Sequence, residues 1–421
     1  MSTNPSGRQS LPTRLRAEFD GLFRSLSNPN LRLYFIGQLI SVCGTWMQSV
    51  ALSWLVYKIT DSALALGVVA FAGLLPVLLL SYFAGGIADR YDRKRTIMIT
   101  QSLALTEAVV LGVLTWQGLL SVPVLVGLAL FVGICTAFEV PSRQAFLSDI
   151  AKGDELVNTV GLNSAMVNVC RMLGPVLAGV IVGTLGEAAC FWLNALSYVA
   201  ALAALRMIKV ERKEKKKGDT AGKAGESVWE AMKRTGVVNI LVITATVSIF
   251  GFQYQMLLPV IVKKLLMGES GVFATMSAIG GAGALLGSLA LASRAKTAML
   301  KRLLGGAILV LAAAIGVLAW SHSLPISCAA VAVAGACISV FFVGGNSYVQ
   351  TVVPEAVRGR VLGIYMVALL GVAPIGSLMG GWFAERFGVQ AALFVIASVC
   401  GLAAVWYLTR MRRDDESAKP R

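Results

Sequence analysis

Residues 85–95 read GGIADRYDRKR and end a long apolar run with a compact group of charges. A glycine at a helix end allows a neighbouring helix to approach closely. Asp89 can accept hydrogen bonds from a helix N-terminus or from an arginine, and the cations beyond it stay in the cytoplasm. The stretch therefore predicts a membrane-spanning helix that ends at a cytoplasmic loop able to contact another helix.

The composition of the whole chain agrees with this interpretation. The 421 residues are 57% hydrophobic and 14% charged, with a mean hydropathy of +0.75, which lies outside the range of soluble proteins. A spanning helix uses about 20 residues, so the apolar content allows about a dozen spans. The net charge of +15 would suggest nucleic acid as the partner of a soluble domain. Membrane proteins, however, collect lysine and arginine in cytoplasmic loops, so no nucleic-acid partner is expected.

Apolar runs between charge clusters predict an all-α integral membrane protein with twelve transmembrane helices in two six-helix pseudo-repeats. The first set of spans covers 33–57, 64–87, 96–116, 120–140, 157–184 and 187–207. The second set covers 237–262, 268–292, 299–320, 324–347, 360–384 and 387–409.

The segments outside the spans divide the chain further. Residues 208–236 contain the run ERKEKKK and are too polar to bury themselves, so they are predicted to be a cytoplasmic linker between the bundles 33–207 and 237–409. The segment 1–32 is predicted to be cytoplasmic, with an amphipathic helix on the membrane surface. Residues 410–421 are expected to form a cytoplasmic tail.

The distribution of basic residues predicts the orientation. Of the 37 lysines and arginines, 32 fall on the side that carries both termini and the linker. The opposite side holds four, which are Lys58, Lys263, Lys264 and Arg386. The positive-inside rule then places both termini in the cytoplasm, which requires an even number of spans. We expect a multi-pass protein of the plasma membrane.

The two sets of spans share a proline motif. Gly174-Pro175 with Gly179 in the fifth span matches Ala373-Pro374 in the eleventh, about 200 residues further on. Proline removes a backbone donor and bends a helix, and glycines allow close helix packing. Many transporters are built from such repeats, with the substrate site between the halves.

The quoted stretch resembles the signature of the loop between spans 2 and 3 in the major facilitator superfamily, with Asp92 in place of its second glycine. The resemblance is closest to the drug and siderophore exporter branch, which includes macrolide efflux and enterobactin export proteins. The residues that carry it are Gly37-Gln38, Gly44-Thr45-Trp46-Met47-Gln48, Trp54-Leu55-Val56-Tyr57, Asp89-Arg90, Pro141-Ser142-Arg143 and Arg358-Gly359-Arg360-Val361. It implies a major facilitator fold that transports by alternating access.

The resemblance also implies a conformational latch. In the family, the loop aspartate is thought to pair with the cytoplasmic start of span 11 and to hold one alternating-access state. By this resemblance Asp89 is the latch acceptor, Arg90 and Arg93 brace it, and Gly85 and Arg360 lie nearby. The alternative is a basic loop that only sets the topology. Gly174, Pro175 and Gly179 resemble the Gly-Pro motif associated with antiporters of the superfamily.

Few charges lie inside the spans. Arg171 is near the middle of the fifth span, where an unpaired cation costs upward of about 2.5 kcal/mol. It is predicted to be functional, and the alternatives are pairing with a carboxylate for structural reasons or contact with a substrate anion. The candidates for proton coupling are Glu107 in span 3, Glu139 in span 4 and Arg171, and either glutamate can be the proton carrier. Depth favours Glu107, and the cavity-lining position of span 4 in the family favours Glu139, for which pairing with Arg143 is the structural alternative.

Polar stripes at helical spacing predict the substrate cavity, because unpaired polar groups in lipid are costly. Spans 1, 4, 7 and 10 line the cavity in this family. The candidates are Gln38, Ser41, Thr45 and Gln48 in span 1, Thr244, Ser248 and Gln255 in span 7, and Asn346 in span 10. Hydrogen bonding between helices is the alternative role for these side chains.

These features together predict a secondary transporter, and proton-coupled efflux of a small amphipathic or hydrophobic compound is the preferred function. The chain has one histidine, seven cysteines without a CxxC pair, and no nucleotide-binding GxxxxGK[ST] motif. No metal, cofactor, ATP-driven pumping or enzymatic activity is therefore expected. The expected partners are the substrate, the proton and the lipid bilayer, and the protein is expected to act as a monomer. An importer, a lipid or siderophore mover and a non-transporting sensor are the alternatives.

Overall fold

The computed structural model describes residues 24–151, 155–209, 227–294 and 297–417. These ranges contain α-helices, two short π-helical segments and one short 3₁₀ helix, and no β-strand. Twelve helical spans are long and apolar enough to cross a membrane, which confirms the predicted fold class.

The first six spans form the N-terminal half. Helix α1 begins after Asn28, whose side-chain oxygen accepts from the backbone N–H of Asn30. The helices are α1 Pro29–Thr60, α2 Ala63–Arg90, α3 Arg93–Gln117, α4 Val122–Ile150, α5 Glu155–Leu185 and α6 Glu187–Met207.

The second six spans form the C-terminal half, and two of them are interrupted. Span α7 comprises Val237–Thr246, a π-helical segment Val247–Gly251, Gln253–Met256 and Leu258–Lys264. Span α11 comprises Glu355–Met366, a π-helical segment Val367–Gly371 and Ala373–Phe387. The other four are α8 Ser270–Arg294, α9 Thr297–Trp320, α10 Leu324–Val352 and α12 Val389–Ser417.

Several helices run beyond their predicted ends. Spans α4 and α10 have 29 residues each, which is about 43 Å at 1.5 Å per residue, whereas the hydrocarbon core is about 30 Å thick. Hydropathy locates only the part inside lipid and misses the polar extension. For the same reason, α12 continues to Ser417 through the predicted tail, and a short helix Val228–Arg234 lies in the predicted linker.

The halves meet along two pairs of helices. Span α2 packs against α11, and α5 packs against α8. We call the side on which α1 begins and α12 ends the terminal face, and the opposite side the distal face. The distal ends approach closely because small residues line them. A side chain at Gly67 of α2 would meet the backbone of Ser377 and Gly381 in α11, and one at Gly179 of α5 would meet Ala274 of α8.

The two π-helical segments contact each other. The Ser248 hydroxyl in α7 donates to the Leu369 carbonyl oxygen in α11, with 2.6 Å between the oxygens. A side chain at Gly376, two residues beyond Pro374, would collide with the Ile249 carbonyl. A π-helical turn departs from the regular α-helical pattern of backbone hydrogen bonds. At the α7–α11 crossing the Ser248 hydroxyl supplies an additional hydrogen bond to the backbone of the other segment. By contrast, α5 stays helical through Pro175.

Candidate functional site

A chain of buried polar side chains links three helices of the N-terminal half. Glu107 of α3 is 3% exposed and accepts a 2.9 Å hydrogen bond from the Gln48 amide of α1. The Gln48 carbonyl oxygen accepts from Asn194 of α6 at 2.7 Å, and Asn194 in turn accepts from Ser197 at 2.9 Å. Among the described residues no cation lies within ion-pair distance of Glu107. Its negative charge is therefore held by a single neutral donor.

A second network lies closer to the terminal face. Arg143 of α4 is 3.5 Å from Glu139 one turn earlier and donates to Gln38 of α1 at 3.3 Å. Gln101 of α3 donates to Glu139 at 3.4 Å. Glu139 therefore differs from Glu107, because the guanidinium of Arg143 lies beside it.

The polar stripe of α1 faces these networks. Gln38 and Gln48 make the bonds just described, and the Thr45 hydroxyl lies 3.2 Å from the hydroxyl of Tyr198 in α6. Ser41 is 3% exposed in the same interior. The period of the stripe identified one helix face correctly, but in this conformation that face contacts α3, α4 and α6 rather than a central cavity. Gln38, Thr45 and Gln48 make contacts between helices in this conformation, and Ser41 is buried beside them.

The central cavity lies between the halves and has a volume of about 110 Å³. Helices α1, α5, α7, α8 and α10 line it. Its polar lining residues are Ser53, Arg171, Gln255 and Ser277, and its aromatic ones are Trp46, Tyr254 and Phe273. The cavity face of α1 is therefore the apolar side with Trp46, Val50 and Ser53, which a search for polar stripes does not find.

Arg171 is the charged residue of this cavity. Its guanidinium carbon lies 5.1 Å from the ring centre of Trp46, in a cation–π contact. Its buried Nε has no hydrogen-bond partner, and neither Glu107 nor Glu139 is within ion-pair distance. Of the two alternatives for Arg171, pairing with an intramembrane carboxylate is therefore not observed among the described residues.

The four substrate-cavity candidates of the C-terminal half lie in different environments. Of the four, Gln255 lines the cavity, whereas Thr244 is fully buried and Ser248 bonds to α11. Asn346 lies near the terminal end of α10 and accepts from Gln350 at 3.2 Å. The structure thus brings one of them to the cavity.

The Gly-Pro motif lies at two interfaces. A side chain at Gly174 would collide with Trp46 of α1, so this glycine lets α1 and α5 come close beside Arg171. Pro175 lines the cavity, and Gly179 contacts α8. The motif therefore shapes the cavity wall and joins the two halves.

The predicted latch is described in part. The side chains of Gly85, Asp89 and Arg90 lie outside the described residues. Arg93 donates to the carboxylate of Asp149 at 2.6 Å and to the Ala145 carbonyl at 3.1 Å, and so ties the start of α3 to the end of α4. Arg360 is exposed on the first part of α11.

Asp92 explains the departure from the family signature. Its carboxylate accepts from the backbone N–H of Arg95 at 2.9 Å and caps the N-terminus of α3. A glycine at this position supplies no side-chain acceptor, and an aspartate cap is more stable than a glycine cap by a few tenths of a kcal/mol. The substitution thus strengthens the start of α3.

The distal face is closed by a carboxylate from the other half, which the sequence did not reveal. Glu385 of α11 accepts from the backbone N–H groups of Ala63 and Leu64 at 2.7 and 3.3 Å, and from the Ser62 hydroxyl at 3.2 Å. It therefore caps the N-terminus of α2 across the interface. The available signal was weak: α2 begins without an acidic residue of its own, and an isolated acid ends α11.

Two further contacts close the same face. Lys264 of α7 and Asp61, at the end of α1, form a 2.8 Å ion pair. Trp54 of α1 stacks on Phe273 of α8, with ring centres 5.0 Å apart. The hydrogen bonds and ion pairs that join two described residues of different halves all lie at this face.

We expect the Asp61–Lys264 pair to be insensitive to mild acid. The Lys264 ammonium holds the pKa of Asp61 below its usual value of 3.8, so the pair persists above that value and is lost only as pH falls through the lowered pKa. Both side chains are more than half exposed, so Asp61→Asn should change the free energy of closing by less than about 1 kcal/mol. Distances between spin labels across the distal face, measured at pH 8 and pH 5, should agree; widening at pH 5 that Asp61→Asn abolishes would contradict this.

No group of three or more histidine, cysteine, aspartate or glutamate side chains with metal-binding geometry occurs in the described ranges. The seven cysteines are free thiols.

Comparison with solved structures identifies the architecture as the major facilitator fold. A bacterial homologue of the human lysosomal transporter Spinster, in an inward-facing and occupied conformation, superposes with a TM-score of 0.71 over 96% of this chain and 98% of that chain, at 13% identity. The nucleoside transporter NupG superposes with a TM-score of 0.71 over 90% and 99%, at 12% identity.

Sequence comparison identifies the family. The profile of the transmembrane secretion effectors matches residues 21–420, and the chain belongs to this family of major facilitator transporters. It is 30% identical to the staphyloferrin A transporter of Staphylococcus aureus, over 90% of this chain and 96% of that protein. It is 27% identical to the multidrug efflux pump Tap of Mycolicibacterium fortuitum, over 93% and 98%. The resemblance to the drug and siderophore exporter branch is thereby confirmed.

Proposed function

We propose that this transporter exports a small amphipathic or hydrophobic compound in exchange for protons, by alternating access in the plasma membrane. The observation that carries the proposal is the buried Glu107, which is bonded to the neutral Gln48 and has no ion-pair partner among the described residues. Efflux as the direction is supported by the relatives that are named for multidrug efflux.

The orientation follows from the basic residues. With 32 of 37 lysines and arginines on the side of the termini, the terminal face is cytoplasmic. The distal face is then external, and its closure by Glu385 and by the Asp61–Lys264 pair corresponds to an inward-facing state that takes up substrate from the cytoplasm. The protein acts as a monomer, because one chain supplies both halves.

Glu107 is the proposed proton carrier. A buried carboxylate without a counter-ion costs several kcal/mol, and binding a proton removes that cost. Glu139 is less suited to this role because it already has an ion-pair partner, Arg143, at 3.5 Å. A neutral Glu107 also gains a donor, which changes the hydrogen bonding available to Gln48.

Helix α1 connects the proton site with the cavity. Gln48 contacts Glu107 on one side of α1, and Trp46, two residues earlier, makes its cation–π contact with Arg171 on another. Protonation of Glu107 and occupation of the cavity therefore both act on the same helix. Because α1 also forms part of the closed distal face through Asp61, its movement can link both events to opening.

Everted membrane vesicles test the direction and the coupling. A respiratory substrate acidifies their interior, and exported compounds added outside should drive proton release from it. A pH-sensitive dye records this release. Transport that persists without proton movement would overturn the coupling, and accumulation in intact cells that depends on expression would reverse the direction.

We expect Asp89→Asn to abolish export while the amount of protein in the membrane stays normal. The change removes the charge that the family resemblance assigns to the latch and keeps the size of the side chain. Export by expressing cells and immunoblots of their membranes measure the two quantities. Unchanged export would leave residues 85–95 with a role in topology alone.

A further inference from the structure

We infer that Arg171 binds a carboxylate of the transported compound, so that the substrate is an organic anion with an apolar or aromatic body. The inference deepens the proposed function and rests on it, since it concerns the substrate of the same cavity. Its basis is the guanidinium of Arg171, whose buried Nε has no hydrogen-bond partner, in a cavity that both halves enclose.

The positive charge of Arg171 is costly in its position. Arg171 is near the middle of α5, and its Nε is buried with no hydrogen-bond partner. The Trp46 ring at 5.1 Å stabilises the cation through one face but accepts no conventional hydrogen bond. Removing a guanidinium from water without a hydrogen-bonding anion costs free energy, and no carboxylate among the described residues lies within ion-pair distance to offset it. A bound anion would.

The charge on the described lining of the cavity is positive. The described residues that line it include Arg171 and no aspartate, glutamate or lysine. In a low-dielectric cavity one uncompensated positive charge attracts anions and repels cations. The site therefore selects against cationic compounds.

The contact with Trp46 leaves the hydrogen-bond donors of Arg171 free. The Trp46 ring, whose centre is 5.1 Å from the guanidinium carbon, accepts no conventional hydrogen bond, so N–H donors remain for the two oxygens of a carboxylate, which a guanidinium can bind as a pair. Gly174 makes this contact possible, because any side chain there would collide with Trp46. The arrangement is thus a preformed donor with restricted orientation.

The rest of the cavity wall suits the body of the substrate. The remaining wall combines Phe273, Met276 and Val331 with the hydroxyls of Ser53 and Ser277 and the amide of Gln255. Apolar and aromatic surfaces suit a hydrophobic body, and a few polar groups orient it. Helix α1 supplies the tryptophan and α5 supplies the arginine, whereas α7, α8 and α10 supply most of the remaining wall. A bound anion therefore contacts both halves.

Binding to the purified full-length protein tests the inference with two probes of matched shape and opposite charge, 2-naphthoate and 2-naphthylmethylammonium. We expect millimolar naphthoate to raise the unfolding temperature in detergent and the ammonium probe to have no effect. Arg171→Met should weaken naphthoate binding at least tenfold, and Arg171→Lys should weaken it less, because it keeps the charge but loses the planar pair of donors.

The ligand-free variants separate binding from structure. Removing an unpartnered buried charge should leave the unfolding temperature of Arg171→Met equal to or above that of the wild type, whereas loss of a structural ion pair would lower it. Arg386→Met, which changes an exposed arginine at the end of α11, is the matched control and should bind naphthoate normally.

Three results would overturn the inference: equal binding of both probes, naphthoate binding that survives Arg171→Met, or no naphthoate binding by the wild type. The measurement uses no proton gradient. A protein that exports with proton release but binds no carboxylate would therefore contradict only the substrate class. One that binds naphthoate through Arg171 but moves no protons would contradict only the proposed coupling.

Discussion

Glu385→Ala is expected to shift the transporter away from the state closed at the distal face, by roughly five- to thirty-fold in the ratio of closed to open molecules. The carboxylate accepts three hydrogen bonds from the start of α2, two of them from backbone N–H groups. Hydrogen bonds to a charged group at an exposed site give a combined contribution of about 1 to 2 kcal/mol. Spin labels on the distal ends of α2 and α11 should report longer distances in the variant.

Two further variants define the cause. Glu269→Ala removes an exposed carboxylate at the same face, and it should leave the distances unchanged because no described hydrogen bond or ion pair involves that side chain. Glu385→Gln keeps an acceptor oxygen without the charge and should lie between the wild type and Glu385→Ala. Equal distances in all variants would mean that the small-residue packing at Gly67 and Gly381 closes the face without help from Glu385.

Glu107→Gln is expected to reduce proton-driven export at least a hundredfold while exchange of substrate across the membrane continues. Glutamine has the shape of a protonated glutamate and can still accept from Gln48, so the α1–α3 contact survives. Glutamine cannot bind and release a proton, so substrate transport is no longer coupled to proton movement through this position. Reconstituted vesicles allow both measurements, with a pH-sensitive dye for protons and labelled substrate for exchange.

Glu139→Gln provides the contrast. It removes the anion beside Arg143, so it should weaken transport without uncoupling it from protons. If Glu139→Gln uncouples transport and Glu107→Gln does not, the proton carrier is at the terminal end of α4, where the cavity-lining position of that helix in the superfamily had suggested it.

Much of the fold could be predicted from the sequence, because burial in lipid demands long apolar helices and the loops between them concentrate charge. The ends of the helices were harder to predict. Hydropathy reports the part of a helix inside lipid, so it ended α4 at 140, whereas the backbone continues to Ile150. The π-helical segment at Val247–Gly251 has no signal in the apolar pattern, since it arises from packing against α11.

The site was predicted in part. Arg171 and Glu107 were found because an intramembrane charge is unusual in any context. The facing of α1 was not found: spacing shows that Gln38 and Gln48 share a side, but only their partners on other helices show which way that side points. Glu385 could not be predicted either, because its role depends on a helix end more than 300 positions away.

The two halves share a duplicated architecture, but they contain different features. In the described chain the buried carboxylates, Glu107 and Glu187, are both in the N-terminal half, while both π-helical segments are in the C-terminal half. One half therefore holds the buried carboxylates in helices without π-helical segments, and the other half has two helices interrupted by such segments. Exchanging the halves of two related transporters should then transfer ion dependence with the N-terminal half and the rate of conformational change with the C-terminal half.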